Sequence, residues 1–363
     1  MRNSAIGQTG RMLVDWADRA AVAERVITRR YLRRLAGVVP GTRIGRVRWP
    51  RPILGRPWAW HYWWQAHLLD CLVDAQLREP SPARASTVAA LARTIRWRNL
   101  GSWTNSYYDD IAWLGLAVHR AGALARRSTH PALAAITAQL TDGWTADGGG
   151  GIWWRRGDDF KNAPTNGPAA ILLARTGEIP LAAAITDWMA ETLVDPDSGL
   201  VRDGVRVDEN GVREAVPVIY TYCQGVYLGA CVELAQRDGH QRWFDRAVAV
   251  LDAVSSRLAG PDGVIPGHDD GGDGGLFNGI LARYLASAAR ERPELASTAA
   301  RIVLASADAA WWGRTDVGGG PVFAQNWRRP AVSSRRGAAG TDLSVQLSAW
   351  MLFEAAAVVQ HAC

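Results

Sequence analysis

Apolar positions recur at helical spacing along almost the whole chain, and twelve runs carry that period. They lie near residues 10–36, 57–78, 84–97, 106–126, 131–142, 162–176, 179–194, 220–238, 241–258, 275–290, 293–311 and 342–360. No stretch alternates in a way that predicts a strand with a partner. Tight breakers follow even-numbered runs, such as Glu79-Pro80-Ser81-Pro82, Thr176-Gly177-Glu178, Asp238-Gly239-His240 and Arg292-Pro293. Long Gly- and Trp-rich segments precede even-numbered runs instead, at 37–56, 143–161, 195–219, 259–274 and 312–341, with a short one at 98–105. The even-numbered runs therefore recur as a weak repeat.

Six helical hairpins with tight turns at one end and long loops at the other predict an all-α fold, an (α/α)6 barrel. The whole chain, 1–363, is expected to form one such domain. Its inner ring must be apolar all round and its outer ring amphipathic. The run 342–360, with Leu343, Leu347, Trp350, Met351 and Phe353, reads as inner, as does 220–238; the Arg-rich run 10–36 reads as outer. Every long loop and every inner-helix start then meets at one mouth. Polar and aromatic residues gather there, at His61-Tyr62-Trp63-Trp64, at Asn105 and Tyr107-Tyr108, at Trp153-Trp154, at Lys161-Asn162, at Tyr220 to Gln224, and at Phe277-Asn278.

Composition sharpens this picture in three places. Trp (18) outnumbers Phe and Tyr together, an excess that asks for flat surfaces with a polar edge. Net charge is +6, but residues 1–60 hold thirteen Arg against three acids, so the remaining body is slightly acidic and no nucleic-acid partner is expected. The basic arm is expected to add a weak attraction to anionic membrane surfaces. Lys161 is the lone lysine among 41 basic residues, which hints at a point-charge role. The four cysteines lack metal or C-x-x-C spacing, and no cofactor or metal is expected. No signal-peptide pattern opens the chain and no run reaches transmembrane length, so a cytoplasmic monomer, at most peripheral to the membrane, is the expectation.

The stretch with most chemistry is Asn105-Ser106-Tyr107-Tyr108-Asp109-Asp110-Ile111-Ala112-Trp113. Two adjacent carboxylates enter an apolar helix there. Burial and mutual repulsion would leave one protonated near neutrality, which suits acid–base work on a sugar bond. The plain alternative is that Asp109 caps the helix and Asp110 decorates its first turn.

Five motifs in order decide between these. Tyr-Tyr-Asp-Asp-Ile-Ala-Trp at 107–113, Gly-Gly-Gly-Ile-Trp-Trp at 149–154, Lys161-Asn162 with Thr165-Asn166, Thr221-Tyr222 with Gln224-Gly225, and Leu276 to Ile280 with Arg283-Tyr284 together resemble glycoside hydrolase family 76, the endo-α-1,6-mannanases. The resemblance covers about 58–360. It implies the (α/α)6 fold and hydrolysis of α-1,6-mannan or mannooligosaccharides with retention through a covalent mannosyl-enzyme; whether the substrate is a lipid-linked mannan is left open. Asp109 would be the nucleophile and Asp110 the acid/base. Retaining pairs need carboxyls roughly 5–5.5 Å apart, which neighbouring residues at a helix start can provide. Two positions depart from the family: Asn278 replaces a usual Lys and Cys223 a usual amide.

Substrate contacts are expected at Asn105, Tyr108, Trp153, Trp154, Lys161, Asn162, Tyr222, Gln224, Phe277 and Asn278, with packing an equal reading for Tyr222 and Gln224. Trp153 or Trp154 is expected to stack on mannose; core packing is the other reading. Lys161 and Asn162 would bond sugar hydroxyls or hold Asp109 ionised, unless they cap the helix. His61, His67 and His268 read as structural. Asp269 to Gly274 is a turn, with Ile280 where a calcium loop would close with Glu. Mannan transglycosylation at the same site, a non-catalytic glycan-binding α-barrel, another (α/α)6 glycan enzyme and a terpene-cyclase-like barrel are the rivals; the last lacks its Asp-rich motif.

Overall fold

The computed structural model describes residues 15–50, 59–125, 130–267, 271–331 and 341–360. Its helices are α1 (Trp16–Tyr31), α2 (Tyr62–Arg78), α3 (Pro82–Arg98), α4 (Tyr108–Ala125), α5 (His130–Asp142), α6 (Ala163–Thr176), α7 (Ile179–Thr192), α8 (Thr221–Arg237), α9 (Gln241–Ala253), α10 (Phe277–Glu291), α11 (Pro293–Trp312) and α12 (Leu343–Gln360). Each even-numbered helix packs on the next, and α12 returns to α2, closing an inner ring. The odd-numbered helices lie outside it. The fold is an (α/α)6 barrel.

Local chemistry sets the hairpins. Ser81 caps α3, with Pro82 in its first turn where a missing N–H costs nothing. Gly177 ends α6 at φ 101°, a conformation glycine adopts without strain. The sixth hairpin joins the two ends of the chain: Trp16 N donates to Gln360 Oε1 at 3.1 Å, and the Trp16 ring stacks on Phe353 of α12. Every residue of α12 from Leu343 to Ala357 is buried, as an inner helix requires.

A buried amide in the first turn of four inner helices pairs with both backbone groups of one loop residue. Gln65 holds Gly45, Asn166 holds Ile152, Gln224 holds Val201, and Gln346 holds Phe323. Each of these loops enters the interior, where unpaired N–H and C=O groups would be costly. These amides fix the walls of the mouth.

The structure corrects four expectations. The first helix is shorter than 10–36: it starts after Asp15, whose side chain accepts from Ala17 N, and ends at Tyr31, with 10–14 outside the described residues. The run 241–258 leaves α-geometry after Ala253, where Val254–Ala259 forms a π turn. Strands do pair. β1 (Leu32–Arg33) pairs with β2 (Ile44–Gly45); β3 (Phe160–Asn162), β4 (Arg202–Val207) and β5 (Arg213–Ile219) form an antiparallel sheet; β6 (Thr315–Asp316) pairs with β7 (Pro321–Val322). These strands are short and lie in the loops, where glycine breaks any alternation. Helix α12 is apolar and long enough to cross a membrane by length and composition, but its side chains are spent on the ring.

Part of the Arg surplus of α1 is spent inside the fold. Arg19 stacks on Trp16 and Trp311 and pairs with Asp308. Arg29 donates to Gly319 O, and Arg30 donates to the carbonyls of Val317, Gly320 and Pro321 while lying over Trp49. Arg29 and Arg30 thus tie down the loop around β6 and β7, and Arg19 ties α1 to α11.

Candidate active site

Asp109 and Asp110 occupy the first turn of α4, where the backbone dipole favours anions. The loop before them is shaped by Asn105, whose Oδ1 accepts from Tyr107 N at 2.8 Å. Its Nδ2 donates to Asp110 Oδ2 at 2.9 Å. Asn105 is itself fixed by Gln139, which donates to its carbonyl at 2.6 Å. On the other carboxylate, Asp109 Oδ1 accepts from Asp110 N at 2.8 Å and Oδ2 from Trp154 Nε1 at 3.1 Å. Each acid therefore has its own set of N–H donors, and both are partly buried.

Burial, then the charge of Asp110, pushes Asp109 well above the usual carboxylate range; N–H donors from Asp110 and Trp154 oppose this. Burial also raises Asp110, to about 7, against the Asn105 hydrogen bond and with the help of the Asp273 charge. Two coupled acids raised together cannot both ionise freely, so the pair favours sharing one proton at neutral pH.

The Gly-rich loop brings Trp154 to this place. Gly150 and Gly151 have φ of 132° and 86°, and a Cβ on Gly151 would lie 2.9 Å from the Trp188 ring. Lys161 Nζ donates to Thr145 Oγ1 at 2.9 Å, Asp147 O at 2.6 Å and Gly150 O at 2.7 Å, and lies 4.3 Å from the centre of the Trp153 ring. Burial lowers the Lys161 ammonium to about 8. Its donors are spent on the loop, so it neither bonds a sugar nor reaches Asp109 as expected. Its cation also covers Trp153, one of the two expected platforms. The ring of Trp154 packs edge-on against Tyr107 and Phe160, while its N–H serves Asp109.

Three further residues named from the sequence hold structural places here. Asn162 caps α6, accepting from Thr165 N at 3.2 Å. Gln224 is fully buried and spends its amide on Val201 and Tyr220. Tyr108 is buried against Gly143, where a Cβ would meet its ring at 2.5 Å. Motif residues of this kind build the walls, because a loop threaded into a ring needs more fixed hydrogen bonds than a sugar does.

The opposite wall is aromatic. Tyr222 and Phe277 stack with centroids 3.8 Å apart and planes 6° from parallel, and Tyr220 lies 5.0 Å from Phe277. Burial raises the Tyr222 phenol well above its usual range, and the nearby charges of Asp203 and Asp109 add to this. Asn278 accepts from Thr221 Oγ1 at 2.8 Å and is buried beneath this wall. Thus Asn105, Asp109, Asp110 and Trp154 come together directly, with the stacked Tyr222 and Phe277 nearby.

Two carboxylates were missed. Asp203 projects from β4 with Cys223 Sγ 3.8 Å away as a weak partner, and burial raises it to about 6. Its signal in the sequence was hidden in a hairpin read as loop. Asp273 accepts from the indoles of Trp63 and Trp64 at 2.9 and 2.8 Å. Asp269, Asp270 and His268 lie outside the described residues. His67 is buried beneath Trp63 and Trp113 and held neutral by that burial; exposed His61 stacks on Trp64.

Comparison with known proteins returns one family. The sequence pattern of Glycosyl hydrolase family 76 matches residues 16–362. The α-1,6-mannanase of Salegentibacter sp. HEL1_6 is 30% identical, with a TM-score of 0.83 over 95% of this chain and 100% of that one. An inactive variant of that enzyme, with two consecutive aspartates changed to asparagine, has been solved with α-1,6-mannotriose; it is 29% identical, again with a TM-score of 0.83 and coverage of 95% and 100%. A mannan endo-1,6-α-mannosidase of Candida glabrata is 28% identical over 64% of this chain. The match spans 59% of that fungal protein, less than two thirds of its length.

Proposed function

The chain belongs to Glycosyl hydrolase family 76, and from that premise we propose that it hydrolyses α-1,6-linked mannan at internal bonds with retention. The observation that carries the reading is the paired first turn of α4, in which Asp109 is bonded by Trp154 and Asp110 by Asn105. The inactive double-aspartate relative supports it.

Asp110 begins protonated. The Asp273 charge opposes its ionisation, and once it is neutral the repulsion on Asp109 is gone. Burial still opposes ionisation of Asp109, and the N–H donors of Asp110 and Trp154 offset it in favour of the carboxylate. An Asp109 oxygen attacks the anomeric carbon as Asp110 gives its proton to the glycosidic oxygen. The C–O bond breaks, the sugar alcohol leaves, and a mannosyl ester remains on Asp109. Asp110, now ionised, takes a proton from water, whose oxygen displaces Asp109. Two inversions give net retention. The stacked Tyr222–Phe277 wall supplies a flat apolar face for a sugar ring.

Linear α-1,6-mannooligosaccharides test this, with products followed by proton NMR from the first turnover. The expected result is shorter oligosaccharides appearing first as α-anomers, abolished by Asp109→Asn. First-formed β-anomers would refute retention, and products longer than the substrate would identify a transglycosylase.

A further inference from the structure

Beside the mouth lies a surface that the sugar chemistry does not use. The hairpin of β1 and β2 crosses the C-terminal half of α3: Arg43 N donates to Thr94 Oγ1 at 3.0 Å, and Arg93 Nη1 donates to Gly41 O at 2.9 Å. The hairpin region brings Arg34, Arg43 and Arg46, and the helix brings Arg93 and Arg96. The guanidinium groups of Arg43, Arg93 and Arg96 donate to backbone carbonyls, and that of Arg96 also lies over the Trp103 ring; none of these contacts is to a carboxylate. The chain has no Asp or Glu in 25–69 or 80–108, the stretches of sequence in which these arginines fall.

Apolar side chains stand out from the same face. Val38 is 71% exposed, Trp97 51% and Leu100 98%. Trp97 follows Arg93 by one helical turn and so shares its stripe of α3. Leu100 sits just beyond the helix end at φ 54°, a conformation that leucine rarely adopts. Holding a leucine wholly in water on an unfavourable backbone serves neither packing nor the candidate site.

We propose that this face docks on an anionic lipid bilayer. The arginines meet headgroup phosphates, and Val38, Trp97 and Leu100 enter the interface, the depth that tryptophan prefers. A nucleic acid would satisfy the cations but has no use for the apolar tips. Residues 101–108 lead from Leu100 to Asp109, so docking sets the mouth beside the membrane surface. The inference stands independently of the glycosidase reading.

The test is co-sedimentation of the full chain with phosphatidylcholine vesicles and with phosphatidylcholine–phosphatidylglycerol vesicles, at low and high salt. Binding to the anionic vesicles alone is expected, fading as salt rises. Arg34→Glu and Arg93→Glu should each lower partitioning at least about fivefold, the equivalent of ~1 kcal/mol per basic residue. Trp97→Ser with Leu100→Ser should lower it further with an unchanged melting temperature, since both side chains are exposed. Equal partitioning to the two vesicle types overturns the proposal. So does unchanged binding of the Trp97/Leu100 double variant together with displacement by duplex DNA, which would mark a surface for polyanions in general.

Discussion

Trp154 Nε1 lies 3.1 Å from Asp109 Oδ2, across 45 residues of sequence. The contact exists because the Gly-rich loop folds back onto the start of α4, where Tyr108 N also donates to Trp154 O at 2.9 Å. One tryptophan thus fixes the carboxylate through its side chain and the helix start through its backbone. An N–H aimed at a carboxylate favours the ionised form, which is the form a nucleophile needs.

Trp154→Phe keeps the ring packing and removes the donor. Hydrogen bonds to charged groups are worth about 1.5–3 kcal/mol, so kcat should fall roughly ten- to a hundredfold. The Asp109 pKa should rise without its donor, moving the acidic limb of the pH–rate profile to higher pH. Steady-state kinetics across pH on mannotetraose measures both. An unchanged acidic limb would show that Trp154 does not act through Asp109.

The basic limb should report Asp110. Its carboxyl is raised to about 7, and the acid must be protonated to work, so kcat/KM should fall as pH rises through that value. Asn105→Ala removes a bond to the ionised form, which raises the pKa and moves the limb to higher pH. Asp273→Asn removes a nearby like charge, which lowers the pKa and moves the limb the other way. Shifts of the same sign in both variants would argue against Asp110 as the proton donor.

How much of this could be read from the sequence follows from the period of each signal. Twelve helices at a 3.6-residue period were legible to within a few residues at most ends, and so was the closed double ring. The pairs β3–β4–β5 were not, because Gly204 and the bulge between Arg202 and Gly204 interrupt the two-residue alternation. In the site, Asp109 and Asp110 announced themselves by adjacency. Lys161, Asn162 and Gln224 were legible as special, but not as loop staples, since their partners are backbone groups that carry no sequence signature. Asp203 and Asp273 depended on which way a loop side chain turns, and only coordinates give that.

Lys161→Met tests the staple. Three loop oxygens within 3 Å of the ammonium would lose their donor inside the protein. A buried acceptor left unpaired costs about 1–3 kcal/mol, and chemical denaturation should show a loss of that size or more. Activity should fall as well, because Trp154 rides on the same loop. A variant with unchanged stability would mean that Lys161 is not what holds 145–150 in place.

The roles of Asp109 and Asp110 can be separated by chemistry that depends only on which face of the sugar is left open. In Asp110→Ala the nucleophile survives, so an aryl mannobioside with a good leaving group should still form the ester on Asp109 without a proton donor. Azide, which needs no general base, then attacks that ester from the face the leaving group vacated and should give the α-mannosyl azide. In Asp109→Ala no ester can form. Azide then occupies the space of the lost carboxylate, displaces the leaving group directly and should give the β-mannosyl azide. Proton NMR of the azides distinguishes the two anomers. Interchanged products would reverse the assignment of the two aspartates, and rescue of neither variant would remove both from the bond-breaking step.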